Sequence, residues 1–166
     1  FSDTGRHVTV DLALAHALTL LDGGATVLDV GGESTRPGAR PVSEAEEQAR
    51  VIPVIRALAR AHPSVPLSVD TVHAVTALAA VDAGAVIIND VTAGRHDPAL
   101  LAVAAQHKTG VILSHSRGPL GDLASYALAD YQGDVTSAVV RELAGAVRSA
   151  LDAGVAAEAV VIDPGF

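Results

Sequence analysis

The sequence has no cysteine, no methionine and no tryptophan, and only two phenylalanines and two tyrosines. Without cysteine there is no disulfide framework and no thiolate metal site, and the expected location is a reducing cytoplasm. With so few aromatics, the core has to be built from Ala, Val, Leu and Ile. Basic charge is also scarce: Lys108 is the only lysine, and the formal net charge is −8. An acidic chain without a basic run is a poor match for nucleic acid, so an anionic substrate must be met by a few placed Arg side chains and backbone N–H groups. No apolar run approaches the roughly 18 residues of a membrane span, and no charged leader followed by an apolar stretch opens the sequence. Neither nucleic acid nor a membrane is an expected partner.

What is present is apolar and periodic. Nearly half of the 166 residues (49%) are apolar, which makes the chain globular, with enough length for one domain core. It starts on Phe1 rather than Met and stops on Asp163-Pro164-Gly165-Phe166, a turn signal just after a strand-like run. Both ends read as cut, and residues 1–166 read as one incomplete domain.

Segments rich in β-branched residues alternate with Ala/Leu-rich ones. Residues 9–22 have helical composition, with Asp11 as a candidate cap and Gly23-Gly24 as a stop. Residues 26–30 read as a buried strand. Ser43 with Glu46 three residues on is a capping-box signature opening a helix, in which Pro53 predicts a kink or a late start. Strands at 66–70, 85–90, 110–115 and 159–163 then alternate with helices at 72–82, 97–107 and about 133–153. Five strands without hairpin signals predict a parallel α/β sheet. Asp29, Asp70, Asn89 with Asp90, His115 and Asp163 each fall at the carboxyl end of a different strand. A barrel gathers all strand ends around one mouth, whereas an open sheet concentrates its site at one switch point. The pattern favours a (β/α) barrel, and five strands make it a partial one.

The DVGGESTRPG loop (29–38) turns tightly at Gly31-Gly32 and places the Thr35 hydroxyl and Arg36 guanidinium above the site, a pair suited to phosphate or diphosphate. It also reads as a solvated Arg-Pro-Gly turn, and it lacks the lysine and glycine spacing of a P-loop. In SVDT (68–71), Asp70 ends a buried apolar strand, where a carboxylate needs hydrogen-bond donors. A ring with paired N–H groups supplies them, although Asp70 or Thr71 capping the next helix accounts equally for the motif. Asn89 both donates and accepts, as the edge of a heterocycle requires, while Asn-Asp is also turn chemistry. Asp163 in VIDPG is open to the same two readings. His115, in SHSRGP, is either catalytic or, more commonly for such a residue, a structural hydrogen-bonder. No histidine spacing predicts zinc.

The strings FSD at 1–3, DVGGESTRPG at 29–38, SVDT at 68–71, IND at 88–90, SHSRG at 114–118 and DPGF at 163–166 resemble the dihydropteroate synthase family, in its order, over essentially the whole chain. The resemblance implies a (β/α)₈ TIM barrel, of which this chain holds about strands two to six of eight. It implies condensation of 6-hydroxymethyl-7,8-dihydropterin diphosphate with para-aminobenzoate to 7,8-dihydropteroate and pyrophosphate, with Mg²⁺ as cofactor and sulfonamides as inhibitors. The partners implied are these two small molecules and, at full length, a second copy in a homodimer. Carried over by position, Asp70, Asn89 and Asp163 hold the pterin edge. Thr35 and Arg36 bind the diphosphate, Asp3 helps organise the magnesium–pyrophosphate assembly, and Phe1 and Pro37 shape the aminobenzoate pocket. Asp3, Arg36 and Asp70 are the expected catalytic residues. Ser114 stands where the family usually has Met at the pocket floor, and Ser116 replaces a commonly larger residue.

The family asparagine that ligates Mg²⁺ falls upstream of Phe1. The lysine and the Ser-Arg and His-bearing strand ends fall downstream of Phe166, so the 166 residues alone are expected to be inactive. Two rival readings are a pterin-binding methyltransferase domain, which lacks the Thr-Arg-Pro phosphate loop, and a non-catalytic pterin-binding paralogue, against which Asp3, Thr35 and Arg36 argue.

Overall fold

The computed structural model describes residues 9–33, 42–118, 120, 130–131 and 133–165. Helix α1 (Val10–Asp22) is capped by Thr9, whose side chain accepts from the Leu12 N–H at 3.3 Å. The Asp11 expected in that role instead lies inside the first turn, where its charge complements the helix dipole. Strand β1 (Leu28–Gly31) follows. Helix α2 (Glu44–Ala61) starts where the capping signal places it, with the Ser43 Oγ accepting from the Glu46 N–H at 3.3 Å and Glu46 paired with Arg50. It runs through Pro53 without the expected late start. Three fully buried side chains flanking that position, Val51, Ile55 and Leu58, anchor the helix on both sides of it.

The remaining elements are β2 (Leu67–Asp70), α3 (Ala74–Ala83), β3 (Ile87–Asp90), α4 (Ala99–His107), β4 (Gly110–Ser114), α5 (Val135–Asp152) and β5 (Val160–Asp163), the last preceded by a 3₁₀ turn at Ala157–Ala159. All pairings are parallel, and the strands lie in the order β1-β2-β3-β4-β5. This order decides between barrel and open sheet. Right-handed crossovers that always advance the sheet in one direction put every helix on the same face; a doubly wound sheet reverses direction and covers both. Here α1 packs on α2, α2 on α3 and α3 on α4, a single outer layer. The chain is therefore a partial (β/α) barrel.

Side chains alternate between the faces of a strand, and the register carries that alternation across the sheet. Leu28, Leu67, Val69, Ile88, Val111 and Leu113 point to the helical layer and are buried there against Val51, Ile55 and Leu58 of α2, Ala77 and Ala80 of α3, and Leu100, Leu101 and Ala104 of α4. Among the described residues the apolar core is aliphatic, and α3 and α4 contribute small alanines to it. The opposite face carries Asp29, Ser68, Asp70, Ile87, Asn89, Ile112, Ser114, Val161 and Asp163.

Candidate active site

One consequence of that register is that Asp29, Asp70, Asn89, Ser114 and Asp163, drawn from all five strands, share the inner face at its carboxyl end. Gly31 is the register partner of Asp70, and a Cβ there would lie 3.3 Å from the Asp70 Cβ and Oδ2. Its lack of a side chain makes room for the carboxylate.

The helix-cap reading of Asp70 is excluded by what caps α3. The Ala74 N–H donates to Asp97 Oδ2 at 2.8 Å, and Asp97 also accepts from the Ala99 N–H with Oδ1 at 3.1 Å. One carboxylate in the loop after β3 thus serves two helix starts, and Thr71 closes its own turn by accepting from the His73 N–H at 3.2 Å. Asp70 is left to the inner face. Burial raises its pKa from 3.8 to about 7, with the negative charges of Asp29 and Glu47 adding to the effect.

Glu47 is the residue that reading the sequence missed. It lies in the first turn of α2, where acidic residues favour the helix dipole, yet it is 1% exposed and accepts from the Thr76 hydroxyl at 2.6 Å. The signal was present. Positions 47, 51, 55 and 58 form one helical stripe, so the apolar face of α2 extrapolates back onto Glu47.

Asn89 has a fixed orientation. Its Nδ2 donates to Asp29 Oδ2 at 3.2 Å, while its Oδ1 is buried and has no hydrogen-bond partner. The Ser68 Oγ, on the same face and register partner of Asp29, is also buried and unpartnered. Buried polar atoms in native proteins are rarely left unpaired without a reason, and an unpaired acceptor and an unpaired hydroxyl on one face suit a ligand with N–H groups. Asp90, the other half of the Asn-Asp pair, faces the helical layer. It is fully buried and accepts from the Thr92 N–H and hydroxyl, both at 2.7 Å, and from the Gly94 N–H at 2.6 Å. The turn reading of IND thus belongs to Asp90, and Asn89 is left on the inner face.

Asp163 Oδ1 accepts from the Gly165 N–H at 2.9 Å, and Oδ2 from the Ser114 hydroxyl at 3.3 Å. Its carboxylate is exposed and keeps acceptor capacity for a ligand. Ser114 orients that carboxylate, which a Met side chain has no donor to do. The His115 ring turns away from the inner face to α5, where Nε2 lies 2.9 Å from Glu142 Oε2. Phe1, Asp3, Thr35, Arg36 and Pro37 lie outside the described residues. The ends of the loop bearing the last three are tied together, the Val42 N–H donating to Glu33 Oε1 at 3.3 Å and Arg50 Nη1 to the Gly32 carbonyl at 2.8 Å. Among the described residues no group of three His, Asp or Glu is placed to hold a metal ion, and no helix is long and apolar enough to cross a membrane.

The sequence matches the family model described as pterin binding enzyme over residues 1–166. The dihydropteroate synthase of Bacillus subtilis (strain 168) is 42% identical over 166 residues, which is 100% of this chain and 54% of that protein. Among solved structures, Xanthomonas albilineans dihydropteroate synthase with 4-aminobenzoic acid superposes with a TM-score of 0.85 at 45% identity, over 100% of this chain and 57% of that one. Yersinia pestis dihydropteroate synthase in a sulfonamide drug complex gives a TM-score of 0.90 at 40% identity, over 99% and 58%. The chain spans a little over half the length of the relatives it matches.

Proposed function

The chain belongs to the pterin-binding enzyme family, and on that premise we propose that it supplies the pterin-binding half of a dihydropteroate synthase. The reaction is condensation of 6-hydroxymethyl-7,8-dihydropterin diphosphate with para-aminobenzoate, giving 7,8-dihydropteroate and pyrophosphate. The observation that carries the reading is the Asp29–Asn89–Asp70 cluster. Its fixed amide presents an unpartnered buried acceptor beside a carboxylate held near neutrality. A pterin ring edge, with its amino and ring N–H groups side by side, is the complement of such a surface.

Ionised Asp70 accepts the paired N–H donors, Asn89 Oδ1 accepts a further one, and Asp163 faces the same ring from β5. Departure of pyrophosphate leaves positive charge on the pterin. Carboxylates on the inner face favour that charge as it develops, and the arylamine nitrogen then attacks the exocyclic carbon. Thr35 and Arg36 are the residues proposed to hold the diphosphate, with Asp3 beside it and Phe1 and Pro37 around the aminobenzoate. The described residues offer no donor set for the Mg²⁺ that the resemblance implies.

The test uses the full-length protein and follows pyrophosphate release with and without para-aminobenzoate, alongside pterin binding by calorimetry. Release matched by dihydropteroate formation, with both lost in Asp70→Ala, is the expected result. A folded protein that binds no pterin overturns the reading.

A further inference from the structure

Glu142 lies on α5, in the outer helical layer, and has no part in the reaction proposed above. It nevertheless holds two residues that follow directly on Ser114. Its Oε2 lies 2.9 Å from His115 Nε2, its Oε1 pairs with Arg117 Nη2, and Arg117 Nε adds a contact at 3.3 Å. Hydrogen bonding from Arg117 holds Glu142 below the usual carboxylate range. Glu142 is therefore an acceptor, and His115 Nε2 carries the proton. The His115 side chain is 5% exposed, so its ring has little freedom once that bond is made. Arg117 also binds the Asp130 carbonyl and stacks over the Tyr131 ring at 4.0 Å, closing the two ends of the β4–α5 connection on each other.

The backbone of His115 is in turn the seat of the Asp163 turn. Its N–H donates to the Asp163 carbonyl at 2.8 Å. Its own carbonyl lies against Gly165 so closely that a Cβ at 165 would overlap it. Gly165 supplies the N–H to Asp163 Oδ1, and Ser114, one residue before His115, supplies the hydroxyl to Oδ2. Both bonds that orient the Asp163 carboxylate therefore come from residues adjoining or packed on His115.

We infer that Glu142 is a positioning residue: through His115 it sets the orientation of the Asp163 carboxylate at the mouth of the inner face. The inference rests on the reading of that face as a pterin site. With the acceptor removed, a buried imidazole N–H is left unpaired and the ring must move. The strand end and the Asp163 turn move with it. Displacements of about 1 Å in a positioning group cost up to about a hundredfold in turnover or affinity.

The test is steady-state kinetics and direct pterin binding in the full-length protein carrying Glu142→Leu, Glu142→Gln, His115→Leu, or the two leucine substitutions together. Glu142→Leu is expected to raise KM and Kd for the pterin diphosphate about tenfold and to leave KM for para-aminobenzoate within about twofold. Glu142→Gln keeps an acceptor and is expected to restore most of the affinity. His115→Leu is expected to weaken pterin affinity in the same direction as Glu142→Leu, and the double variant to be no worse than Glu142→Leu alone, because the His115–Glu142 bond is lost in all three while the Arg117 pair is lost only with Glu142. A folded Glu142→Leu protein with unchanged pterin affinity overturns the inference while leaving the functional reading intact. So does failure of both leucine variants to fold, which shows the contact to be structural only. A wild-type protein that binds no pterin removes the functional reading itself.

Discussion

The most consequential single residue is Asp70, whose carboxyl is protonated more readily in the folded protein than in the unfolded chain. With a folded pKa of about 7 against an ordinary value of 3.8, its contribution to stability is fully present below about pH 4. That contribution is lost as pH rises through about 7, a cost on the order of 4 kcal/mol. Asp70→Asn removes the ionisation and is expected to be more stable than wild type at pH 8 by roughly 1–3 kcal/mol, with little difference at pH 4. Urea unfolding at the two pH values measures this, and a gap independent of pH would contradict it. In the proposed pterin site the same ionisation is expected to govern binding, since only the carboxylate accepts two N–H donors. Pterin affinity in wild type is expected to weaken about tenfold per pH unit below about 7, and the Asn variant, with an amide N–H turned toward the ligand's own donors, to bind poorly at every pH. Stability and binding thus pull against each other at one side chain.

At the scale of elements, short carboxylates organise the connections from which the site hangs. Asp90 gathers three donors from the loop after β3, and Asp97 starts both α3 and α4. Asp90→Ala leaves two backbone N–H groups and a hydroxyl unpaired in a buried loop and is expected to cost about 2–4 kcal/mol, read as a lowered thermal midpoint. Asn89, next to it, faces the other side of the sheet, so pterin affinity in the folded fraction is expected to change far less than in Asn89→Ala. Equal loss of affinity in the two variants would show that the IND segment works as one unit. The elements themselves were largely legible from composition and punctuation, each strand core falling within the expected run. Thr9 displaced Asp11 as a cap because the Thr9 backbone is extended, at φ −116° and ψ 152°, as a cap requires. Pro53 sits inside α2 because tertiary packing on either side outweighs its missing N–H.

At the scale of the whole molecule, the partial barrel has an edge strand, β5, whose Val161 and Ile162, on opposite faces, are 56% and 53% exposed. Such an edge, with unpaired backbone groups and apolar side chains, templates further strand pairing. The polypeptide of residues 1–166 by itself is expected to self-associate with rising concentration, measurable by sedimentation velocity, and Val161→Lys is expected to reduce this. Sedimentation as a monomer at every concentration would show that the edge is protected.

The sequence by itself determined the parallel α/β class, the alternation of strand and helix, the aliphatic core and the strand-end positions of Asp29, Asp70, Asn89 and Asp163. These follow from local periodicity and from turn residues, which act over a few neighbours. Only the tertiary structure decided which strand ends share a face, because that depends on register between strands that composition does not encode. It separated Asn89 from Asp90, freed Asp70 from the helix-cap role by bringing Asp97 to the Ala74 N–H 23 residues before it, and turned His115 outward to Glu142. It also placed Glu47, a surface acid by its local sequence, beneath Asp70, where its negative charge helps keep that carboxyl protonated near neutral pH.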